Sequence, residues 1–461
     1  MREGTLGITV MPEWFQTEGI EPVLDNLAAA GATALATSPY VLAPAPEGEG
    51  GREPPIDGGA GEVRLLDRPL FGRRALWVRT APAFRPDPRL YVGLRYRPAT
   101  PDALTEAEAP RIQAAIRAAK DRGLTVHLQV QAAIPPGYRV QFGGGLADED
   151  QPLLPDGTKL PGRVDGNGSL AAPAIRDYLA ALLADLAQAF PDVDAIRLDW
   201  PEYPPYALEA TLFDFSAAAM RFAAGQGFDT ARMRADALAA LTAIRDGSAA
   251  ALLRDGSARE WLAARPGLAD LARCKAALAA DFIATAAAAL HAASGGRIAL
   301  VPQGFPAPFA RASGFDPALL APLVPAMGIK LYTMHWPMIL RFWARSLGAP
   351  DDPALLLALA AALDLTDGPV DPARLVYPAP DAPHPVGVGA QRRKILAARA
   401  AAGTTPIFAM AHSYGPVEDV AARFRLAWEA SARRVFVNRY GYMDAAKIAA
   451  IGAILREPWG G

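Results

Sequence analysis

Cysteine is nearly absent from this 461-residue chain, where Cys274 stands alone. One thiol excludes an intrachain disulfide and a multi-cysteine zinc site, and it fits a reducing compartment. Net charge is also close to absent. Lys plus Arg (46) nearly balances Asp plus Glu (48), a formal −2, which excludes a basic coat for nucleic acid and a general attraction to anionic lipid. Long apolar runs are missing too: ALLLALAAAL, over Ala354–Leu363, is about half of the roughly 20 residues a membrane span needs. The opening MREGTLGITVMPEW lacks the basic-then-apolar profile of a secretion leader. The Ala-rich, Lys-poor composition points to a GC-rich bacterial genome. The expectation is a cytoplasmic protein with no nucleic-acid or membrane partner.

Absent motifs narrow the chemistry. No GxGxxG follows the first apolar segment and no GxxxxGK[ST] occurs, which weakens nucleotide-binding folds. Gly143–Gly145 is a loop triplet without strand-to-helix context. What is present is a large apolar fraction: 51% of residues are hydrophobic and 20% charged, a balance that supports a big packed core.

Eight short buried segments recur along the chain: Gly7–Met11, Thr33–Ser38, Thr125–Val130, Ala195–Asp199, Arg297–Pro302, Gly328–Tyr332, Pro406–Ala411 and Val435–Tyr440. None alternates strictly between polar and apolar, as expected of parallel strands covered on both faces. Helical patterns separate them, over Gly19–Ala30, Thr105–Arg122, Ala174–Phe190, Asp270–Ala293, Gln391–Ala402 and Glu418–Arg433, with a last one near Asp444. This α/β alternation predicts a single closed (β/α)8 barrel over 1–461, with an open doubly wound sheet as the alternative. Three connections are far longer than the usual few residues: 44–100, 200–294 and 336–404. All leave C-terminal strand ends, the face where barrels of this kind place their sites, so they should wall a pocket. The basic runs GRR (Gly72–Arg74) and QRRK (Gln391–Lys394) read as solvated faces.

The chemistry concentrates in IRLDWPEYPPY, Ile196–Tyr206. Asp199 closes the fourth strand and Glu202 follows three residues later. Paired carboxylates with aromatic neighbours suit glycosidic cleavage, one ionised and the other held protonated. Trp200, Tyr203 and Tyr206 offer flat faces for sugar rings. Arg197, two residues before Asp199, is expected on the same side of the strand, keeping that carboxylate charged. The competing reading is a structural Asp–Arg pair.

This segment resembles bacterial (β/α)8 glycoside-hydrolase-like proteins, whose fourth strand carries a pattern near (V/G)DG-x-x-LDW followed by Pro. VDAIRLDWPEYP, Val193–Pro204, is the matching stretch. A more distant likeness is to family 18 chitinases, whose fourth strand ends in Asp-Trp-Glu-Tyr-Pro. Here Pro201 separates Trp200 from Glu202 and Arg197 stands where that signature has an aspartate. The resemblance implies the barrel fold and a carbohydrate substrate, and no cofactor is expected. On the paired-carboxylate reading Asp199 is nucleophile or electrostatic stabiliser and Glu202 is general acid/base.

Other strand ends supply further candidates. Glu13 and Trp14 follow the first strand; Glu13 is a substitute carboxylate, or simply opens a helix. His127, Gln129 and Gln131 share one face of the third strand, and the two amides suit sugar hydroxyls. Gln303 ends the fifth strand. Lys330, Tyr332, His335 and Trp336 surround the end of the sixth, His412 and Tyr414 the seventh, and Asn438, Arg439, Tyr440 and Tyr442 the eighth. Glu418 and Asp419 read as first-turn helix carboxylates. Two rival functions remain open. One is a carbohydrate-binding barrel without catalysis. The other is a metal-dependent hydrolase or isomerase built on His127, Asp199, His335 and His412, although HxH at the first strand is absent.

Overall fold

The computed structural model describes residues 4–56, 61, 64–160 and 166–458. Its strands are β1 (Thr5–Thr9), β2 (Ala34–Thr37), β3 (Tyr40–Pro44), β4 (Gly51–Glu53), β5 (Leu76–Pro82), β6 (Thr125–Gln131), β7 (Ala195–Asp199), β8 (Ala299–Gly304), β9 (Met327–Leu331), β10 (Ile407–His412) and β11 (Arg434–Asn438). Eight of them close a parallel barrel in the order β1-β2-β6-β7-β8-β9-β10-β11. These are the eight segments expected from the sequence, and the (β/α)8 barrel is the observed fold. Ends differ by up to two residues. The first strand stops at Thr9 because Pro12 opens a short helix, Pro12–Thr17, and proline at a first helical position is pre-set for that start.

Helices return the chain between strands: Ile20–Ala30, Ala103–Asp121, Pro173–Ala189, Pro266–Ser294, Val388–Ala402, Val417–Ala430 and Ala445–Arg456. Their ends follow local chemistry. Gly31 takes a left-handed conformation at the end of the first. Asp102 and Thr105 form a reciprocal capping box at the start of the second. After β8 only short helices intervene, Phe309–Ser313 and Pro317–Leu320. The helix expected to reach Arg433 stops at Ala430, because Ala432 and Arg433 turn through positive φ into β11. Glu418 and Asp419 do occupy its first turn.

The first long connection contains a feature the sequence did not announce, a three-stranded antiparallel sheet in the order β3-β5-β4. Residues 57–60 and 62–63 of that connection lie outside the described residues. The second is mainly helical, as expected. Its last helix, Pro266–Ser294, is the one described helix long and apolar enough to cross a membrane by composition. Its buried stripe, including Leu271, Leu278, Phe282 and Leu290, belongs to the core. In the third, Gln391–Lys394 corrects the solvated-face expectation. Gln391 and Lys394 lie on the buried side of their helix, and Lys394 Nζ donates to Leu363 O at 2.8 Å.

The barrel interior changes character along its axis. Toward the N-terminal ends of the strands, Ala34, Ala36, Phe408, Met410 and Phe436 form an apolar plug, with the His127 ring 5.0 Å from Phe436. Gly7 makes room for this plug, since a Cβ there would stand 2.1 Å from the Phe436 ring. Burial pulls the His127 imidazole down to about 3, so it is neutral at physiological pH. Above the plug the inward positions turn polar.

Candidate functional site at the C-terminal mouth

Strand periodicity aims Arg197 and Asp199 inward from β7 while Ile196 and Leu198 pack outward. The Asp199 carboxylate lies at the end of the strand and is 8% exposed. Its cation is Lys330 from β9, with Nζ 2.8 Å from Oδ1. The same ammonium is 3.7 Å from Glu202 Oε1, so one buried lysine faces both carboxylates. Gln131 Nε2 and Gln129 Nε2 donate to Asp199 Oδ2 at 3.2 and 3.4 Å. A carboxylate only accepts, which fixes the orientation of both amides. Their buried Oε1 atoms have no hydrogen-bond partner among the described residues. Trp200 adopts φ +54°, a left-handed conformation that costs a non-glycine residue of order 1–3 kcal/mol, and its ring stands 5.3 Å from Lys330 Nζ.

Glu202 is fully buried behind this pair. The Phe305 N–H reaches Oε1 and Oε2 at 2.9 and 3.2 Å, and Ser313 Oγ donates to Oε2. Burial pushes its carboxyl up to about 7, against the pull of Lys330 and these donors. Asn167 Nδ2 donates to the Trp200 and Glu202 carbonyls at 3.2 and 3.0 Å and fixes the turn.

Arg197 does not hydrogen-bond to Asp199. It lies one layer lower, donating to Thr9 Oγ1 at 3.1 Å and Gln303 Oε1 at 2.7 Å, with its guanidinium 4.6 Å from the Phe436 ring centre. Gln303 is thereby engaged with Arg197. Desolvation lowers the guanidinium to about 10, which still leaves it charged at neutral pH.

The opposite wall comes from β9, β10 and β11. Asn438 Nδ2 donates to Tyr332 Oη at 3.0 Å. Tyr206 Oη and His335 Nδ1 are 2.9 Å apart, and the Tyr332 ring packs edge-on against both His335 and His412. His412 Nδ1 accepts the Tyr414 N–H at 3.0 Å. Burial and four surrounding cationic or basic groups, Arg64, His335, Arg439 and Arg423, drive His412 well below the usual imidazole range. Arg423 donates to the carbonyls of His412 and Tyr414, both at 2.6 Å, and holds that loop. Tyr414 Oη donates to Pro378 O at 2.9 Å.

A third group joins the first insertion to the barrel. Arg139 bridges Glu13 Oε1 at 3.3 Å and Glu53 Oε2 at 2.9 Å. Arg439 pairs with Glu53, and Tyr40 Oη donates to Glu13 Oε2 at 3.0 Å. Burial raises the Glu13 carboxyl, while the two guanidinia hold Glu53 below the usual range.

The structure therefore gathers Asp199, Lys330, Gln129, Gln131, Trp200, Tyr332, His335, His412 and Asn438 around the mouth. Glu13 and Glu202 stand in buried hydrogen-bonded positions beside it. Four of the expected aromatics are held in packing or structural bonds. Trp14 packs edge-on against Tyr440, whose hydroxyl donates to Glu18 Oε2 at 2.8 Å. Trp336 is fully buried against Phe309 and Lys394. Tyr203 Oη donates to Asp214 at 3.0 Å. Sequence reasoning missed Glu53, Arg64 and Arg139. All three stand in irregular or short-strand segments without periodicity, Glu53 and Arg64 in the first insertion and Arg139 in the loop after β6, and the only available signal was charge within Pro/Gly-rich stretches. His127 lies in the plug, away from Asp199. No group of three His, Cys, Asp or Glu side chains capable of holding a metal occurs among the described residues, so the alternative metal set is not assembled.

No family model matches this chain, and no curated protein matches it in sequence. Solved structures do resemble it. A β-galactosidase from the psychrophilic Marinomonas ef1 superposes with a TM-score of 0.51 at 11% identity, covering 98% of this chain and 59% of that one. A β-galactosidase from Bacillus circulans sp. alkalophilus gives 0.50 at 9% identity, over 99% and 56%. The catalytic domain of a β-amylase from Paenibacillus polymyxa gives 0.46 at 11% identity, over 97% and 95%. The chain thus spans under two thirds of either β-galactosidase, and at these identities the likeness is one of fold. Its structural neighbours are glycoside hydrolases, and the architecture it shares with them is the eight-stranded parallel barrel.

Proposed function

We propose that this protein cleaves a glycosidic bond at the C-terminal mouth of the barrel, with the barrel and its three insertions acting as one catalytic unit. The observation that carries the reading is the Asp199 carboxylate, held at the end of β7 by Lys330 and two glutamine amides whose acceptor oxygens stay unpartnered. A charge-paired carboxylate ringed by unmatched acceptors and an ammonium suits a polyhydroxylated ring. Asp199 serves as nucleophile or electrostatic stabiliser. Glu202, with its carboxyl near 7, is poised to hold and release a proton at neutral pH; to reach a substrate it must leave Phe305 and Ser313. Fold analogy to glycosidases raises this reading above others on the same fold without naming a sugar.

A second reading, a carbohydrate-binding barrel without turnover, is favoured by one specific observation. Glu202 and Glu13 both have their two oxygens engaged by protein donors. The test is product analysis after prolonged incubation with a panel of glycosides, for wild type and Asp199→Asn. Cleavage by wild type with a loss of about 100-fold or more in the variant, at unchanged thermal stability, supports catalysis. Equal turnover by both proteins removes Asp199 from the mechanism. Binding with no product from wild type selects the second reading.

A further inference from the structure

A groove of about 280 Å³ opens in the helical second insertion, and none of the mouth residues lines it. Its walls come from the helices Thr230–Arg245, Ser248–Arg254, Ala258–Ala263 and Pro266–Ser294. Apart from Thr211 and Arg311, every lining residue is apolar. Thr211 spends its polar atoms inside the fold, with Oγ1 donating to Leu208 O at 2.6 Å and its carbonyl accepting from Lys275 Nζ at 2.7 Å. The helix Ala258–Ala263 buries none of its residues, yet it carries Trp261 and Leu262, the latter 51% exposed. Apolar walls left open to water favour an apolar occupant. Arg265 lies outside the lining, engaged with the Trp261 ring at 3.6 Å and with Trp261 O at 2.9 Å. The charged group of the lining is Arg311, from the short helix Phe309–Ser313. It is exposed, and among the described residues its guanidinium makes no hydrogen bond, ion pair or ring contact.

We propose that this groove takes the alkyl chain of a medium-chain fatty acid, with the carboxylate received by Arg311. An apolar cavity of about 150 Å³ holds one benzene molecule, so nearly twice that volume suits a chain of roughly ten carbons. Charge selects the head group. An unpaired guanidinium with no carboxylate in the lining favours an anion and disfavours an ammonium. The groove offers no other polar contact, which leaves the rest of the ligand apolar. The inference goes beyond the glycosidase-like reading and stands without it.

The test is calorimetric titration of the full chain with hexanoate, decanoate, decan-1-ol and decyltrimethylammonium. Decanoate should bind about tenfold or more tightly than hexanoate, because each buried methylene is worth a factor of about three to four. It should also bind more tightly than decyltrimethylammonium. The affinity ratio of decanoate to decan-1-ol should fall about threefold in Arg311→Gln, the yield of one charge contact at an exposed guanidinium. Chain-length dependence should survive in that variant. Ala249→Phe, which fills a half-buried lining position, should weaken decanoate about tenfold, so that either variant serves if the other fails to fold. Absence of decanoate binding, equal affinity for hexanoate and decanoate, or binding that neither folded variant alters would overturn the site. Sedimentation at rising protein concentration covers the other occupant. A dimer abolished by Leu262→Asp and indifferent to decanoate would assign the groove to a second copy of this chain and overturn the proposal.

Discussion

Replacing Glu202 with glutamine isolates the energetic consequence of burying a carboxyl beside Asp199. The side chain is fully buried, and its carboxyl titrates near 7 rather than at the ordinary 4.5. That displacement corresponds to a preference of about 3 kcal/mol for the protonated form in the folded protein. Its sign follows from proton counting. Between pH 4.5 and 7 the folded chain holds a proton on Glu202 that the unfolded chain has lost, so stability declines as pH rises through this window and levels off above it. Glutamine mimics the protonated acid. Its carbonyl can still accept from the Phe305 N–H, and its amide can donate to Ser313 Oγ. Urea unfolding of wild type and Glu202→Gln should therefore give curves that converge near pH 4.5. By pH 8 they should separate by up to about 3 kcal/mol in favour of the variant. Other titrating groups are common to both proteins and cancel in the difference. A separation that stays constant from pH 4.5 to 8, whatever its size, would refute the assignment of this titration to Glu202.

Lys330→Met should destabilise strongly, by about 3 kcal/mol, because it leaves Asp199 and Glu202 facing each other without the ammonium they share. Calorimetric melting checks this, and a loss under about 1 kcal/mol would show that the ion pair is dispensable. Gly7→Ala should cost about 1–3 kcal/mol through overpacking, since the new methyl would meet the Phe436 ring at 2.1 Å. Phe436→Leu in the same chain should recover part of that loss, and an absence of coupling in the double mutant would place the clash elsewhere.

Much of the architecture was legible before any coordinates. Strands buried on both faces must be short and apolar, and the eight segments announce themselves by that alone. The helices between them follow from spacing and from punctuation such as Gly31. The position of Asp199 at the mouth was legible because a strand-end carboxylate pointing into a closed barrel has only the mouth to face. Lys330, Gln129 and Gln131 followed from the same rule. Aromatics next to strand ends were harder to place, since a large ring serves a wall and a core equally well. Trp336 and Tyr203 pack inward because neighbouring helices, distant in the chain, close over them.

Local pattern alone thus determined the strand-and-helix alternation, the closed barrel and the aspartate at its mouth, because burial and backbone periodicity act within a few residues. Only the tertiary structure decided which cation meets that aspartate, for Arg197 and Lys330 both point into the barrel at different heights. It also brought Glu53, Arg64 and Arg139 to the rim from segments with no repeating pattern. Charge pairing acts through space over a few ångströms, and sequence distance carries no record of it.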